Sequence, residues 1–312
     1  MKRILITGAN GMIGSAIVNE FINKYDLVLV DPYTDKIDKF KNRAIVLKGS
    51  LNDISKWENN LDGVNTVVHL AAAVHWRPKN KEEEQQFIDT NAEGTRKLYE
   101  ACTKHGVERF LFFSTNDVYK ASDKLITEDT PINPQGIYGK SKFLAEKYLL
   151  EDSKKSNTAV CIFRPASVYG ENDKGSMKSL IGLCKKGIVP MIGNGANKKA
   201  LLYTKDIVQA VKRYVDCENN LNGEVFNISS GDFGYKEMID AICSIFEINP
   251  FRLYIPGWFC KNIASKLGPI KKLAVAGETK IVSNEKAVKL LGYERKYSLV
   301  EGIRDAKVYY SR

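Results

Sequence analysis

The chain has 312 residues, 44% hydrophobic and 27% charged, and this length can bury the core of a large α/β domain with a smaller lobe. No apolar run is long enough to cross a bilayer, and the apolar run at 3–6 predicts a buried strand rather than a secretory signal. We therefore expect a cytoplasmic protein without membrane insertion. The net charge is +10, but the lysines are spread along the whole chain, which argues against a nucleic-acid partner and favours a small anionic ligand.

The cysteines and histidines are scattered along the chain. The six cysteines form no CxxC pair, and the three histidines form no cluster with them. This spacing argues against a zinc site and against a framework of disulfide bonds. We therefore expect chemistry that uses no metal ion.

Short apolar runs alternate with amphipathic segments through the first half of the chain. The predicted strands are 4–7, 27–30, 44–48, 66–71, 110–114 and 159–163. The predicted helices between them include 13–24, 82–105 and 138–154. Apolar strands separated by helices form βαβ units, in which a parallel sheet is covered on both faces. The pattern predicts an α/β fold with a Rossmann-type doubly wound parallel sheet.

The second half of the chain does not continue the alternation of strands and helices. The stretch 166–200 is rich in glycine and predicts loops. A strand followed by a helix returns at 201–215, and most of the remainder predicts short helices and connections. We therefore expect one large domain and a smaller C-terminal lobe.

The segment TGANGMIG directly follows the first predicted strand and has glycines at positions 8, 11 and 14. Gly8 permits a tight turn, Gly11 lets a ligand approach the backbone, and Gly14 lets the following helix pack against the sheet. The N-terminus of that helix presents free N–H groups and a partial positive charge, which favour a pyrophosphate. A packing turn without a ligand would have the same glycines.

Asp31 follows the second predicted strand, where a carboxylate can accept hydrogen bonds from both ribose hydroxyls of an adenosine. A carboxylate in this place also repels a 2′-phosphate, so it favours NAD over NADP. The alternative is a strand-end aspartate that caps the turn before Pro32. The glycine turn upstream favours the cofactor interpretation.

Tyr138 and Lys142 are one helical turn apart in the segment YGKSK. They follow the strand at 110–114, and Ser114 and Thr115 lie at its carboxyl end, where ligands of parallel sheets bind. Removing a hydride from an alcohol carbon requires removal of the hydroxyl proton, and a lysine ammonium with an oxidised nicotinamide lowers the pKa of a phenol. We therefore predict Tyr138 as acid/base, Lys142 as its electrostatic partner and Thr115 as the hydroxyl that holds the substrate oxygen. Packing of the Tyr138 ring on the core is the structural alternative.

These segments resemble the extended short-chain dehydrogenase/reductase family, in its nucleotide-sugar epimerase/dehydratase branch. The resemblance also includes VVHLAAA at 67–73, DTNAEGT at 89–95, FFSTNDVY at 112–119, FRPASVYGE at 163–171 and the segment 283–303. It implies the same roles for Thr115, Tyr138 and Lys142, with NAD as cofactor and a sugar on a nucleoside diphosphate as substrate. It also implies a homodimer joined through the helices that bear Asn91 and Tyr138.

The resemblance extends the predicted site residue by residue. The dinucleotide-binding domain is expected over 1–165 with a return at 201–229, and the substrate-binding lobe over 166–200 and 230–312. The positions expected to hold or border NAD are Gly8, Gly11, Met12, Ile13, Gly14, Asp31, Ser50, Leu51, Ala71, Ala72, Ala73, Asn91, Tyr138, Lys142 and Pro165. Those expected to contact the substrate are Asn116, Asp117, Ser167, Lys198 and Lys199.

Four positions depart from the family pattern. Ser50 stands where the family often has an aspartate that meets the adenine, and Lys120 replaces the glycine of VYG. Lys198 and Lys199 stand where many relatives have a phosphate-binding arginine. A lysine can pair with a diphosphate, but as a point charge without the two-pronged geometry of a guanidinium.

Asn116 and Asp117 occupy the place of the Asp-Glu pair with which dehydratases of this branch eliminate water. An amide cannot deliver a proton, so Asn116 argues against a 4,6-dehydratase. Two reactions fit the remaining residues. One is 4-epimerisation through a transient 4-keto intermediate on tightly held NAD. The other is 4-keto-sugar reduction or sugar oxidation with a released cofactor, and Asp31 slightly favours the epimerase.

Two more distant alternatives are a hydroxysteroid-type reductase and a non-enzymatic cofactor sensor on the same fold. The lysine pair and the C-terminal segment argue against the first, and the complete set of Thr115, Tyr138 and Lys142 argues against the second. His75 and Trp76 could contact the sugar or the nicotinamide, although such a pair more often anchors a loop.

Overall fold

A computed structural model describes residues 1–74, 78–260 and 276–311, so His75 and Trp76 lie outside the described residues. The strands are β1 (Arg3–Thr7), β2 (Asp26–Asp31), β3 (Ile45–Lys48), β4 (Thr66–His69), β5 (Arg109–Phe113), β6 (Ser122–Ile126), β7 (Ala159–Pro165), β8 (Ser167–Tyr169), β9 (Ile188–Ile192), β10 (Lys198–Tyr203), β11 (Glu224–Ile228), β12 (Gly231–Gly234), β13 (Phe251–Ile255) and β14 (Lys280–Val282). The helices are α1 (Met12–Phe21), α2 (Lys81–Ile88), α3 (Gly94–Lys104), α4 (Ile137–Asp152), α5 (Ser176–Lys185), α6 (Thr204–Asp216), α7 (Tyr235–Phe246), α8 (Gly257–Phe259), α9 (Glu285–Leu291), α10 (Leu299–Asp305) and α11 (Lys307–Ser311). None of these helices has both the length and the apolar character needed to span a bilayer.

Within the described ranges, seven parallel strands form the central sheet in the order β11–β7–β5–β4–β1–β2–β3. Successive residues of β1 enter different cores: Ile4 and Ile6 pack on one face of the sheet and Leu5 on the other. Both faces are therefore buried, which is why the strands read as continuous apolar runs. This confirms the predicted Rossmann-type α/β fold. The strand order reverses between β1 and β4, and ligands of doubly wound sheets bind at such a switch point.

Two predicted elements differ from those in the structure. The strand predicted at 66–71 ends at His69, because the amide N–H groups of Ala71 and Ala73 donate to side chains rather than to a neighbouring strand. The helix predicted at 82–105 is interrupted by a turn of π-helix at Asp89–Glu93. Such turns often lie at functional sites.

A second sheet has the order β12–β10–β14–β6, with β8 paired to β10, over the part of the chain that the structure describes. β6 falls within 1–165 and β10 extends into 201–229, so both elements differ from the predicted division, which gave these ranges to the dinucleotide-binding domain. The pairing of β6 with β14 joins residues far apart in the chain and leaves no local sequence signal.

A third hydrophobic cluster forms the core of the C-terminal lobe, with side chains from α5, α7, α10 and the strands β9 and β10. α7 is twelve residues long, where the sequence predicts short helices. α9 packs instead with the central domain, since Ala287 and Leu291 belong to one of its two clusters. β9 and β13 form a separate parallel ribbon among the described strands.

Candidate active site

The turn between β1 and α1 is packed so closely, on itself and against the loop after β4, that two of its glycines leave no room for a side chain. Gly8 has a φ of +72°, and a Cβ there would stand 2.8 Å from the amide nitrogen of Ala71. A Cβ on Gly14 would stand 2.1 Å from the carbonyl oxygen of Gly8. Gly11 is exposed at the N-cap of α1, so the free N–H groups of that helix open towards the switch point. This is the arrangement that binds a pyrophosphate.

Asp31 is buried at the end of β2, where its carboxylate accepts hydrogen bonds from the backbone N–H groups of Asn10 at 3.1 Å and Tyr33 at 3.0 Å. Burial raises the pKa of Asp31, and these two bonds and Lys36 partly oppose the rise. The side-chain amide of Asn10 donates to Asp35 at 2.8 Å. Asn10, which the motif did not single out, therefore brings two carboxylates to one turn, and both would repel a 2′-phosphate.

Ser50, after β3, is held by a nearby carboxylate. Its N–H and its hydroxyl both donate to Oδ1 of Asp53 at 2.8 Å, and these bonds lower the pKa of Asp53. The side chain of Leu51 is buried in the second hydrophobic cluster, against Gly94. Asp53 is thus the carboxylate of this loop, three residues after the position where the family often has an aspartate, and the side chain of Leu51 serves packing.

Asn91 connects the loop after β4 to α4. Its Oδ1 accepts from the N–H of Ala73 at 2.7 Å, and its Nδ2 donates to the carbonyl of Ala73 at 3.1 Å and to the hydroxyl of Ser141 at 3.0 Å. The hydroxyl of Ser141 donates in turn to the carbonyl oxygen of Tyr138 at 2.9 Å. The amide of Asn91 is therefore used to hold the loop and the helix of Tyr138 in place. Ser141, the serine of YGKSK, is a positioning residue that the sequence did not reveal.

His69 is buried between two threonines. Its Nδ1 lies 2.6 Å from the hydroxyl of Thr7, and its Nε2 lies 2.9 Å from the hydroxyl of Thr95. Because Thr95 donates its proton to the carbonyl of Asn91 at 2.7 Å, it accepts from His69, which places the ring proton on Nε2. Burial and the charge of Lys142 hold the pKa of His69 well below its usual value. A neutral histidine thus connects β1, β4 and α3 beneath the glycine turn.

Thr115 follows β5 and caps the short helical turn Asn116–Val118. Its Oγ1 accepts from the N–H of Asp117 at 3.1 Å, so its own proton stays available for a substrate oxygen. Asn116 is buried in this turn, and the side chain of Asp117 is exposed. The neighbouring hydroxyl of Ser114 is buried and has no hydrogen-bond partner among the described residues. A buried polar atom of this kind points to a ligand.

The start of α4 lies directly against this turn. A Cβ on Gly139 would stand 2.4 Å from the carbonyl oxygen of Asp117, so the glycine of YGKSK permits the contact. Tyr138 is partly buried, and the charge of Asp117 acts on its phenol. Thr115, Asp117 and Tyr138 are thereby brought together at the carboxyl end of β5.

The protein's own groups do not make the phenol acidic. Burial and then Asp117 raise the pKa of Tyr138 in the protein alone, so the lowering by Lys142 together with an oxidised nicotinamide stays a prediction. The ammonium of Lys142 donates to the carbonyl oxygen of Phe113 at 2.8 Å and lies 4.6 Å above the ring of Phe112. Burial also lowers the pKa of Lys142 to about 7. Burial therefore shifts both groups towards their neutral forms in the protein alone.

Two lysines on adjacent strands face Asp117 from the lobe. Lys199 of β10 is in register with Lys280 of β14, and Nζ of Lys280 lies 3.2 Å from Oδ1 of Asp117. Burial lowers the pKa of Lys199 to about 8, against the opposing charges of Glu278 and Asp117. Lys280 has no motif around it and reaches the site only through the pairing of β10 with β14.

Lys198 and Ser167 do not join this cluster. Successive residues of a strand point to opposite faces, so Lys198 points away from Lys199 and lines a separate open cavity of about 890 Å³ with Lys236 and Arg295. Ser167 is exposed, and its hydroxyl lies 3.3 Å from that of Ser176. Lys198 and Lys199 therefore point to opposite faces of β10, and contact of Lys198 with the substrate stays a prediction.

The other predicted positions lie around the same edge of the central sheet. Met12 and Ile13 form the first turn of α1, and Ala72 lies in the loop after β4. Pro165 is buried at the end of β7, where it is in register with Ile228. This edge carries the glycine turn, the Asp31 carboxylate and the buried Ser114 hydroxyl, which has no partner among the described residues. These features fit an extended dinucleotide.

Comparison with known proteins agrees with this geometry. The chain matches the NAD dependent epimerase/dehydratase family over residues 4–229. It is 29% identical to UDP-glucose 4-epimerase of Vibrio cholerae, with 97% of this chain and 94% of that protein covered. It is 28% identical to N-acetyl-alpha-D-glucosaminyl-diphospho-ditrans,octacis-undecaprenol 4-epimerase of Escherichia coli O157:H7, with 88% and 82% covered. The structure of UDP-glucose 4-epimerase from Thermotoga maritima with UDP-glucose superposes with a TM-score of 0.80 at 25% identity, over 99% of this chain and 98% of that one. The chain belongs to the NAD dependent epimerase/dehydratase family.

Proposed function

We propose that this protein is an NAD-dependent 4-epimerase that acts on a sugar carried on a nucleoside diphosphate. The observation that carries the proposal is that the start of α4, which bears Tyr138 and Lys142, packs against the turn capped by Thr115 at the carboxyl end of β5. A single acid/base at a dinucleotide site is what a reversible oxidation of one hydroxyl requires.

The roles of the side chains follow from their contacts. Bound NAD would supply the acceptor and donor of hydride for the sugar C4. Tyr138 removes the proton of the C4 hydroxyl when the C–H bond breaks, and returns it when that bond forms again on the opposite face of the sugar. Thr115 donates its free hydroxyl proton to the same oxygen and keeps it in line. Lys142 holds the cofactor ribose and stabilises the phenolate of Tyr138. The negative phenolate in turn favours the charged form of Lys142.

The carrier of the sugar is inferred from charge. Lys199 and Lys280 are partly buried and lie side by side near Asp117, and a diphosphate carries the opposite charge needed to pair with both lysines. The V. cholerae relative is named for a nucleotide sugar and the E. coli relative for a lipid-linked one, so the substrate panel should contain both carriers.

The decisive experiment combines mass spectrometry with NMR. The purified protein is analysed for co-purified NAD and then incubated with a panel of UDP- and dTDP-sugars and a polyprenyl-diphosphate sugar. Bound NAD with interconversion of C4 epimers supports the proposal. Net oxidation of added NADH by a 4-keto nucleotide sugar, without interconversion of C4 epimers, would instead identify a 4-keto-sugar reductase.

NAD is expected to bind much more tightly than NADP, because Asp31 and Asp35 repel a 2′-phosphate. Asp31→Ser should weaken NAD binding by about tenfold to a hundredfold, since hydrogen bonds to a carboxylate are lost. Asp35→Ser, at an exposed neighbour, is the matched control and should change NAD affinity far less. Fluorescence titration measures both, and a preference for NADP in the unmodified protein would overturn the role of Asp31.

Incubation with UDP- or dTDP-glucose should yield no 4-keto-6-deoxy sugar. Asn116 lies in the turn next to Thr115 and cannot donate the proton that elimination of water requires. Mass spectrometry detects the loss of water directly. Appearance of the dehydrated product would show instead that the protein is a 4,6-dehydratase.

We further propose a cytoplasmic homodimer joined through α3 and α4. Leu144 and Tyr148 of α4 are only partly buried, which leaves apolar surface on the outer side of these helices. Light scattering during size-exclusion chromatography tests the oligomeric state, and a monomer at micromolar concentration would contradict it.

A further inference from the structure

Asp117 is a charged residue held between the two groups that the proposed reaction uses at the C4 oxygen. Its backbone N–H donates to Oγ1 of Thr115 at 3.1 Å. Its carbonyl oxygen lies against the start of α4, where a Cβ on Gly139 would stand 2.4 Å away. Burial raises the pKa of Tyr138 most, and the charge of Asp117 raises it further. A negative charge therefore lies where the reaction needs a phenolate, and it opposes that phenolate.

The carboxylate of Asp117 is paired with Lys280 of the lobe. Nζ of Lys280 lies 3.2 Å from Oδ1 of Asp117, and the side chain of the lysine is only 14% exposed. Strand pairing fixes the lysine in this place, because β14 lies between β10 and β6 and Lys280 is in register with Lys199 and Ser122. Ser122 begins β6 shortly after Asp117 in the chain. The pairing of β6 with β14 therefore brings Lys280 to the turn that Thr115 caps.

Other titratable groups surround this pair and the helix of Tyr138, and they are Lys142, Glu146, His69, Lys199 and Glu278. They act on one another: Glu146 favours the charged form of Lys142, and Glu278 does the same for Lys199. The ammonium of Lys142 donates to the carbonyl oxygen of Phe113. Among the described residues, Asp117 is thus the charge that acts on the phenol, and Lys280 is bonded to Asp117.

We infer that Lys280 is a positioning residue, which acts on the reaction through Asp117 by cancelling the negative charge beside the phenol of Tyr138. The inference rests on the proposed function, because it takes Tyr138 as the acid/base. An ammonium has three N–H donors, so Lys280 can keep its bond to Asp117 while it binds a phosphate oxygen of the substrate. Without Lys280, the unpaired carboxylate of Asp117 would disfavour the phenolate, and less of the protein would be ready to accept the substrate proton.

The pH dependence of kcat tests the inference. An oxidation that begins with a phenolate becomes faster as the pH rises through the pKa of Tyr138. Lys280→Met should move this rising limb to higher pH by about 0.5 to 1 pH unit, because water partly screens the carboxylate of Asp117, which is 63% exposed. Asp117→Asn should move the limb to lower pH. Lys280→Arg keeps the positive charge and should retain the limb of the unmodified protein.

A double variant shows whether Lys280 acts through Asp117. Once Asp117→Asn has removed the carboxylate, adding Lys280→Met should not move the limb further. Lys236→Met is the matched control, since it removes the same charge from an exposed lysine of α7 that pairs with Asp240, and the limb should stay in place. A role of Lys280 in substrate binding alone would raise KM without moving the limb, and this result would overturn the inference.

Ultraviolet difference spectra of the NAD-bound protein without substrate measure the ionisation of the same phenol. The spectrum of each variant is compared with that of its Tyr138→Phe counterpart, and the pKa values should shift as the limbs do. Lys280→Gln repeats the measurement with a polar side chain in case Lys280→Met lowers the thermal stability. The inference is overturned if both Lys280 variants leave the ionisation of Tyr138 unchanged, or if they shift it equally in the Asp117→Asn background. A failure of the proposed function would appear separately, as the expected spectral shifts in a protein without epimerase activity.

Discussion

Tyr138→Phe is expected to lower kcat by about a thousandfold while NAD affinity stays within a factor of about two, because general acid–base groups contribute roughly 10²- to 10⁴-fold to rate. The substitution removes one oxygen and keeps the ring that packs at the start of α4. The proton of the C4 hydroxyl then has no acceptor at the carboxyl end of β5. Turnover by NMR and cofactor binding by fluorescence titration measure the two effects independently.

Tyr148→Phe is the matched control for this prediction. Tyr148 lies on the same helix, where its ring is 5.2 Å from the guanidinium of Arg96, away from the glycine turn. Its loss of a hydroxyl should leave kcat unchanged. Retained activity in Tyr138→Phe would exclude Tyr138 as the acid/base. Loss of NAD binding together with loss of activity would identify Tyr138 as a structural residue.

Glu146→Leu is expected to destabilise the protein by about 3 to 5 kcal/mol, the usual effect of breaking a buried ion pair. Both carboxylate oxygens of Glu146 are bonded to Arg164, at 2.9 Å and 2.6 Å, and this joins α4 to β7. Burial acts to lower the pKa of Arg164, but its bonds with Glu146 outweigh this and raise it. Arg164 also donates to Tyr119 at 2.5 Å, so the substitution leaves a buried charge with one neutral partner.

Urea unfolding followed by circular dichroism measures the loss. Glu151→Leu, at an exposed position of the same helix, is the control and should change the free energy of unfolding by less than about 0.5 kcal/mol. The double variant Glu146→Leu with Arg164→Leu should recover part of the stability, because no charge stays buried. A Glu146→Leu protein as stable as the control would show that the pair does not hold α4.

The glycine turn and the Tyr138–Lys142 spacing could be predicted because each is a local pattern. A Cβ on Gly14 would meet backbone atoms of the turn itself, and a Cβ on Gly8 would meet the loop after β4. The spacing of these glycines alone indicates a tight strand–helix junction. A separation of four residues on a helix places Tyr138 and Lys142 on one side wherever the helix lies. The position of Asp31 could also be predicted from a local pattern, since a residue at the end of an apolar strand lies at the carboxyl edge of a parallel sheet.

The pKa values of Tyr138 and Lys142 could not be predicted from their spacing, because they depend on the residues packed around both groups. Spacing indicated that Lys142 lies near Tyr138, but it did not show that burial lowers the pKa of Lys142 or that its ammonium donates to the carbonyl oxygen of Phe113. The effect of Asp117 on the phenol depends on the close contact at Gly139. Desolvation comes from every element packed around a group, so neighbouring residues in the sequence do not determine it.

By itself, the sequence determined the parallel sheet, the dinucleotide turn and the helix with Tyr138 and Lys142, because hydrophobic periodicity and short motifs act over a few residues. Only the tertiary structure decided which lysine lies against Asp117. Lys280 joins Asp117 across 163 positions, and Lys198 is turned away from its neighbour by the pleat of β10. The position of Lys280 depends on a strand pairing between distant segments, β10 with β14, and no local pattern encodes it.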